Sequence, residues 1–231
     1  ALHPHKLGII RLNQLFCAVA DGVTRASFSG IWSKLLTEAA INRKVVPSTK
    51  VMSQIINSCS DEWVRIVGEK DLPWFAIEKM KKGSNATLLW LSLRISQNKE
   101  FANLKALAFG DCQLMIIRNG NLSFVYPMEH SSQFDSTPMS ISTKYKTDFS
   151  KTKRVSKKVE PGDEIIIASD AVACFLMGEL EKGENPLVSL ESLVKISENF
   201  EEAFSLWISD FRKSNEIRND DSTMIWIRLH N

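Results

Sequence analysis

The sequence predicts an α+β domain built in layers, and three observations carry that prediction. Helix-period and strand-period segments are segregated along the chain: helical stretches come first, then a block of short apolar strands, then more helices and a final strand. An apolar run at residues 15–20 stands far from every other strand, so it must pair with distant partners. The punctuation within the strand block, Gly110-Asp111 and Asn119-Gly120, is that of antiparallel neighbours joined by tight turns.

The elements follow in order. The first strand, residues 15–20, ends at Asp21-Gly22. Across residues 25–44, Phe28, Ile31, Trp32, Leu35, Leu36 and Ala39 recur at three- and four-residue steps, which predicts an amphipathic helix. A second helix starts at Ser48, an N-cap behind Pro47, and carries Val51, Ile55, Ile56, Cys59, Trp63 and Ile66 on one face until Gly68. Pro73 opens a shorter helix that stops at Lys82-Gly83.

Strands are expected at residues 86–95, 104–110, 112–118 and 122–126, the last two joined by the Asn119-Gly120 hairpin turn. Residues 127–158 are polar and aperiodic and read as a long loop with at most short strands. Pro161-Gly162-Asp163 makes a turn into a buried strand at 164–169. Two or three helices follow within 171–214, with Trp207 and Phe211 four apart as a core pair, and a strand at 222–229 closes the chain.

With 231 residues and 44% hydrophobic content, the chain can bury a sizeable core. Lys plus Arg number 29 against 27 Asp plus Glu, so a net charge of +2 gives no electrostatic case for nucleic acid or a membrane as partner. A local exception is the basic run at residues 151–158. It reads either as a solvated loop or lysine-blunted edge strand, or as a patch for an acidic partner. No apolar stretch approaches the ~20 residues that span a bilayer. Cys17, Cys59, Cys112 and Cys174 lie far apart within largely apolar runs, as expected of reduced thiols in a cytoplasmic protein.

Four strand-end positions carry acids: Asp21, Asp111, Asp170 and the pair Asp220-Asp221 ahead of the last strand. A single Asp at a turn needs no function, because Asp caps helices and starts turns. Several brought to one sheet edge without matching Lys or Arg would repel one another, and a hard divalent cation such as Mg²⁺ or Mn²⁺ relieves that repulsion. Gly22 suits close approach of backbone to such an ion. Of the histidines, His3, His5 and His230 lie near the termini and His130 in the polar loop. No Ser-His-Asp or Cys-His arrangement is evident.

The ordered segments AVADGVT, GSNATLLWLSL, ALAFGDCQLMIIRNG, GDEIIIASDAV and RNDDSTMIWI resemble those of the metal-dependent serine/threonine phosphatases, also called type 2C or PPM phosphatases, across nearly the whole chain. The resemblance implies two packed antiparallel β-sheets flanked by helical layers, an αββα sandwich spanning residues 1–231 as one catalytic domain. It implies that Asp21 bridges two Mg²⁺ or Mn²⁺ ions with help from the Gly22 carbonyl. Asp170 and Asp220 complete the other ion's shell, Asp221 stands where the family has Asn, and Asp111 with Asp170 matches a third-metal position. Metal-activated water would then attack a phosphomonoester on a phosphorylated protein substrate.

Departures from the family pattern bear on activity. No Asp or Glu precedes Asp21 to match the family's upstream acid, and Arg11 is badly spaced for the phosphate-gripping arginine. The family's N-terminal strand is therefore expected to be missing. Val23-Thr24 replaces a Gly-Gly run, Ala171 a glycine and Cys112 a serine. Two functions stay open: an active metal-dependent phosphatase, and a pseudophosphatase that keeps the fold as a binding or regulatory module.

Overall fold

Strand β1 (Gln14–Gly22) pairs antiparallel with β2 (Asn85–Ile95) from Gln14 opposite Arg94 to Gly22 opposite Ala86. The first strand thus finds a partner some seventy residues away, as its isolation in the sequence requires. The computed structural model describes residues 13–24, 26–98, 100–134, 138–197 and 199–229. Arg11, His3, His5 and His230 lie outside them.

On its other side β2 pairs with β3 (Ala102–Phe109), and β3 with β7 (Lys153–Val159), giving the order β1-β2-β3-β7. Where β3 ends, the two-residue β6 (Ile141–Ser142) takes its place against Asn85 and Ala86. The second sheet runs β5-β4-β8-β9, built from β4 (Gln113–Arg118), β5 (Asn121–Tyr126), β8 (Glu164–Ala168) and β9 (Met224–Arg228), again all antiparallel. The chain crosses between sheets at Gly110. A Cβ there would stand 2.5 Å from Thr87 Cγ2, and its φ of +97° favours glycine.

Leu89, Leu91, Leu104 and Val19 of one sheet meet Leu114, Ile116, Ile165 and Ile167 of the other, all buried. Each such side chain contributes about 1.5–3 kcal/mol relative to exposure. Tyr126 ties the sheets together, its hydroxyl accepting the Ala108 N–H at 2.9 Å.

Helices α1 (Ser29–Asn42) and α2 (Thr49–Gly68) cover the outer face of the first sheet, burying Trp32, Leu36, Ile55 and Trp63 against Leu88, Trp90, Leu107 and Phe109. The short α3 (Trp74–Lys81) buries no residue. Helices α4 (Asp170–Glu181), α5 (Leu187–Ser197) and α6 (Phe200–Lys213) cover the second sheet. There Trp207 and Phe211 pack at 5.2 Å between ring centroids, as their spacing predicts. The result is the expected αββα sandwich.

Two boundaries differ from expectation, and a third decides between two readings. Helix α1 starts at Ser29 rather than at residue 25, because Phe28 adopts a left-handed φ of 56° and its carbonyl accepts the N–H groups of Ile31 and Trp32. Residues 153–159, read as either a solvated loop or a lysine-blunted edge strand, form the edge strand β7; Val155 and Val159 face the interior, too few to show a strand period. Finally, β1 runs on through Asp21 and Gly22, which stay in the ladder opposite Thr87 and Ala86 instead of turning away from its tip.

Candidate functional site

Each predicted acid is carried to one edge of the sandwich by a different element. Asp21 is held by ladder pairing near the end of β1. Asp111 follows the Gly110 crossover and is 2% exposed. Asp170 opens α4 directly after β8 and is 7% exposed. Asp220 and Asp221 sit in the loop before β9. That loop is tied to the end of β8, for the Ser169 hydroxyl donates to the Asp221 carbonyl at 3.1 Å and accepts the Thr223 N–H at 3.1 Å. Arg212 fixes the loop from α6, donating to the Asp220 carbonyl and, at 2.9 Å, to Ser222 Oγ.

The electrostatic consequence falls on Asp21. Burial raises its carboxyl first, and the negative charges of Asp170, Asp220, Asp111 and Asp221 add to that, so it titrates at about 7 rather than in the usual carboxylate range. The other four acids named from the sequence therefore all act on Asp21.

Among the described residues the only ion pair made by Asp21, Asp170, Asp220 or Asp221 is that of Asp170, whose Oδ2 accepts Arg218 Nη2 at 3.0 Å. Its Oδ1 accepts the N–H of Ala171 at 2.7 Å. Nothing in the sequence singled out Arg218, an exposed arginine in a polar loop; its place two residues before the acidic pair is the sole available signal.

The donor set is composed of hard oxygens with an excess of negative charge, and this chemistry fits a divalent cation such as Mg²⁺ or Mn²⁺. The arrangement is open, however: no three carboxylate, thiol or imidazole groups among the described residues are gathered as an ion-holding cluster.

Gly22 has a local reason of its own beside the one expected. A Cβ there would stand 2.8 Å from the backbone carbon and side chain of Ser29, so the residue is small because the start of α1 passes over it.

The cysteines offer no competing nucleophile. Cys17 is pushed up to about 12 by burial, and Cys112 well above its ordinary value by the same cause, while Cys112 Sγ lies 3.1 Å from Thr87 Oγ1. Cys59 and Arg65 do have the Cys-x5-Arg spacing of a phosphate cradle. Both lie within α2, with burial raising the Cys59 thiol to about 11 and Arg65 bonded to Glu62 and Glu69. All four cysteines are free thiols, and His130 lies outside the acid cluster, near Glu181.

No family model matches the sequence, and no curated protein does. Solved structures do match the fold. The catalytic domain of the serine threonine protein phosphatase PstP in complex with two manganese ions superposes with a TM-score of 0.57 at 14% identity, over 97% of this chain and 95% of that one. The Mycobacterium tuberculosis serine/threonine phosphatase PstP/Ppp gives 0.56 at 14% identity, over 96% and 91%. RsbX in complex with magnesium gives 0.51 at 19% identity, over 94% and 82%. The αββα architecture is thus the one found in the type 2C serine/threonine phosphatases that the sequence resembles.

Proposed function

We propose that this chain is a divalent-cation-dependent phosphatase that hydrolyses phosphoserine or phosphothreonine esters of proteins. The observation that carries the reading is that the charges of Asp170, Asp220, Asp111 and Asp221 all bear on Asp21, while among the described residues the ion pair of Asp170 with Arg218 is the only one made by Asp21, Asp170, Asp220 or Asp221. The fold supports it, since PstP, whose catalytic domain was solved in complex with two manganese ions, shares the architecture.

In this reading Asp21, Asp170 and Asp220 would hold Mg²⁺ or Mn²⁺ with the Gly22 carbonyl, and Asp111 with Asp170 would take a further ion. The bound cations supply Lewis-acid charge and an activated water for attack on phosphorus. The chain's own contribution is positional. Ladder pairing fixes Asp21, the α4 start fixes Asp170, and Ser169 with Arg212 fixes the Asp220 loop. Arg218, 47% exposed at its side chain, is the cation placed to meet an incoming phosphate once it leaves Asp170. The raised Asp21 carboxyl gives up its proton as cation binds, so binding strengthens with pH.

One observation favours a second reading, a non-catalytic binding or regulatory module. Arg218 already neutralises Asp170, and the acids form no cluster that would hold an ion among the described residues. The four free thiols support a reducing compartment, and we place the protein in the cytoplasm. No described helix is long and apolar enough to cross a membrane.

Hydrolysis of p-nitrophenyl phosphate with and without millimolar Mn²⁺ separates the readings. Manganese-dependent turnover that Asp21→Asn and Asp170→Asn both abolish supports the phosphatase; no turnover in a folded, Mn²⁺-binding protein supports the module.

A further inference from the structure

The basic run that the carboxylate site leaves unused forms β7, and β7 is an edge of its sheet. Register places Arg154 opposite Leu107, Ser156 opposite Lys105 and Lys158 opposite Asn103, and Asn103 in turn opposite Arg94. Arg154, Ser156 and Lys158 therefore share one face with Lys105, Asn103 and Arg94, because side chains alternate along a strand. The same face nearer Asp21 carries Leu88, Trp90, Leu107 and Phe109, buried under α1 and α2. Beyond those helices no described helix covers the face, and all six of the polar residues named are exposed.

Its charge is one-sided. Among the described residues, none of Arg94, Lys105, Arg154, Lys157 and Lys158 forms an ion pair. Two of the ammonium groups rest on aromatic rings instead, Lys158 Nζ at 4.5 Å from the Phe101 centroid and Lys157 Nζ at 4.3 Å from that of Phe124. Along the free side of the strand, no backbone group of residues 154–158 bonds to any described residue outside the β3 ladder. An open groove lined by Arg94, Gln97, Asn98, Phe101 and Asn103 continues the surface at the β2–β3 turn.

Lysines on an edge strand keep it from pairing with a second copy of itself, since like charges would face each other. The same charges attract an acidic strand. We propose that β7 is a docking edge for an extended acidic segment of a partner protein, which adds as a further strand beside β7. Its carboxylates would lie over Arg154 and Lys158, on the face those two share. A nucleic acid fits less well, because single strands bind by stacking bases on open aromatic faces, and here Lys157 and Lys158 cover the faces of Phe124 and Phe101. The edge is separate from the carboxylate site: Arg94 lies seven residues along β2 from Thr87, the partner of Asp21, or about 23 Å.

Fluorescence anisotropy tests this with a labelled peptide of about twelve residues alternating Glu and Val, titrated with the full chain at low salt. The expected result is saturable binding with a Kd on the order of micromolar, weakened about tenfold or more in Arg154→Glu/Lys158→Glu. A peptide N-methylated at every second residue, in either phase, keeps its charge and loses the strand edge; it should bind about tenfold more weakly to the unaltered protein. That comparison stands even if the double variant fails to fold. No saturable binding, equal affinity for the N-methylated peptide, or tighter binding of an oligothymidine of similar charge would each overturn the proposal.

Discussion

Arg218 Nη2 stands 3.0 Å from Oδ2 of Asp170, placing an exposed cation on an acid that the family resemblance assigns to a metal. The arginine side chain is 47% exposed and the aspartate's 11%, so Arg218 can leave while Asp170 cannot. This pair competes with a bound ion. Arg218→Gln should tighten Mn²⁺ binding by about two- to fivefold, in keeping with the ~0.2–1 kcal/mol of an exposed pair, and lower the melting temperature of metal-free protein slightly. Thermal-shift titration with Mn²⁺ reads both; weaker Mn²⁺ binding in the variant would count against competition.

The carboxyl of Asp21, raised to about 7 by burial and then by its four acidic neighbours, sets a pH dependence of stability. A raised folded-state value favours the native state while the group is protonated. The contribution is full below the unfolded value near 4 and is lost as pH rises through about 7. Metal-free protein should therefore melt lower at pH 8 than at pH 5.5. Asp21→Asn should flatten that slope and stabilise the metal-free protein at pH 8 by about 1–3 kcal/mol. Calorimetry in chelator at both pH values checks the sign, and an unchanged slope in the variant would contradict it.

A second charged pair acts in the opposite sense. Asp163, 1% exposed at its side chain, accepts two bonds from Arg118, at 2.7 and 2.8 Å, and the Glu160 N–H at 2.8 Å. Burial pushes its carboxyl up, but these bonds outweigh it and leave it below its ordinary value. Stability from Asp163 is thus present above the unfolded carboxylate range and lost as pH falls through the lowered value. Asp163→Ala leaves the Glu160 N–H of the turn without its acceptor and Arg118 with Glu160 alone. It should cost about 2–4 kcal/mol at pH 7 by urea unfolding and much less at pH 2.

Gly22→Ala tests why that residue is small. With a Cβ at 2.8 Å from the Ser29 backbone, the variant should lose about 1–3 kcal/mol even in chelator. Were the glycine needed only for close approach to an ion, the metal-free melting temperature would not move.

Much of this architecture is legible in the sequence because its elements are strongly patterned. Trp207 and Phe211, the Asn119-Gly120 turn and the isolated first strand each point to one local structure. What was missed or left open has physical reasons. Strand β7 turns Val155 and Val159 inward, so the sequence could offer an edge strand for its basic run but not decide it against a polar loop. Asp21 and Gly22 have poor strand propensity, yet pairing with Thr87 and Ala86 holds them in the ladder. The five acids were visible because Asp at strand ends is a local signal. Arg218 was not, since its partner Asp170 lies 48 residues away and nothing local distinguishes it from any other surface arginine.

The central claim is that the acids around Asp21 form a divalent-cation site. Isothermal titration of Mn²⁺ into the full chain at pH 8, beside Asp21→Asn and Asp170→Asn, tests it most directly. The account predicts saturable binding that is lost or weakened at least about tenfold in both variants, with proton release from Asp21 on binding. Binding unchanged in both variants, or no binding at millimolar Mn²⁺ in the unaltered protein, would contradict it.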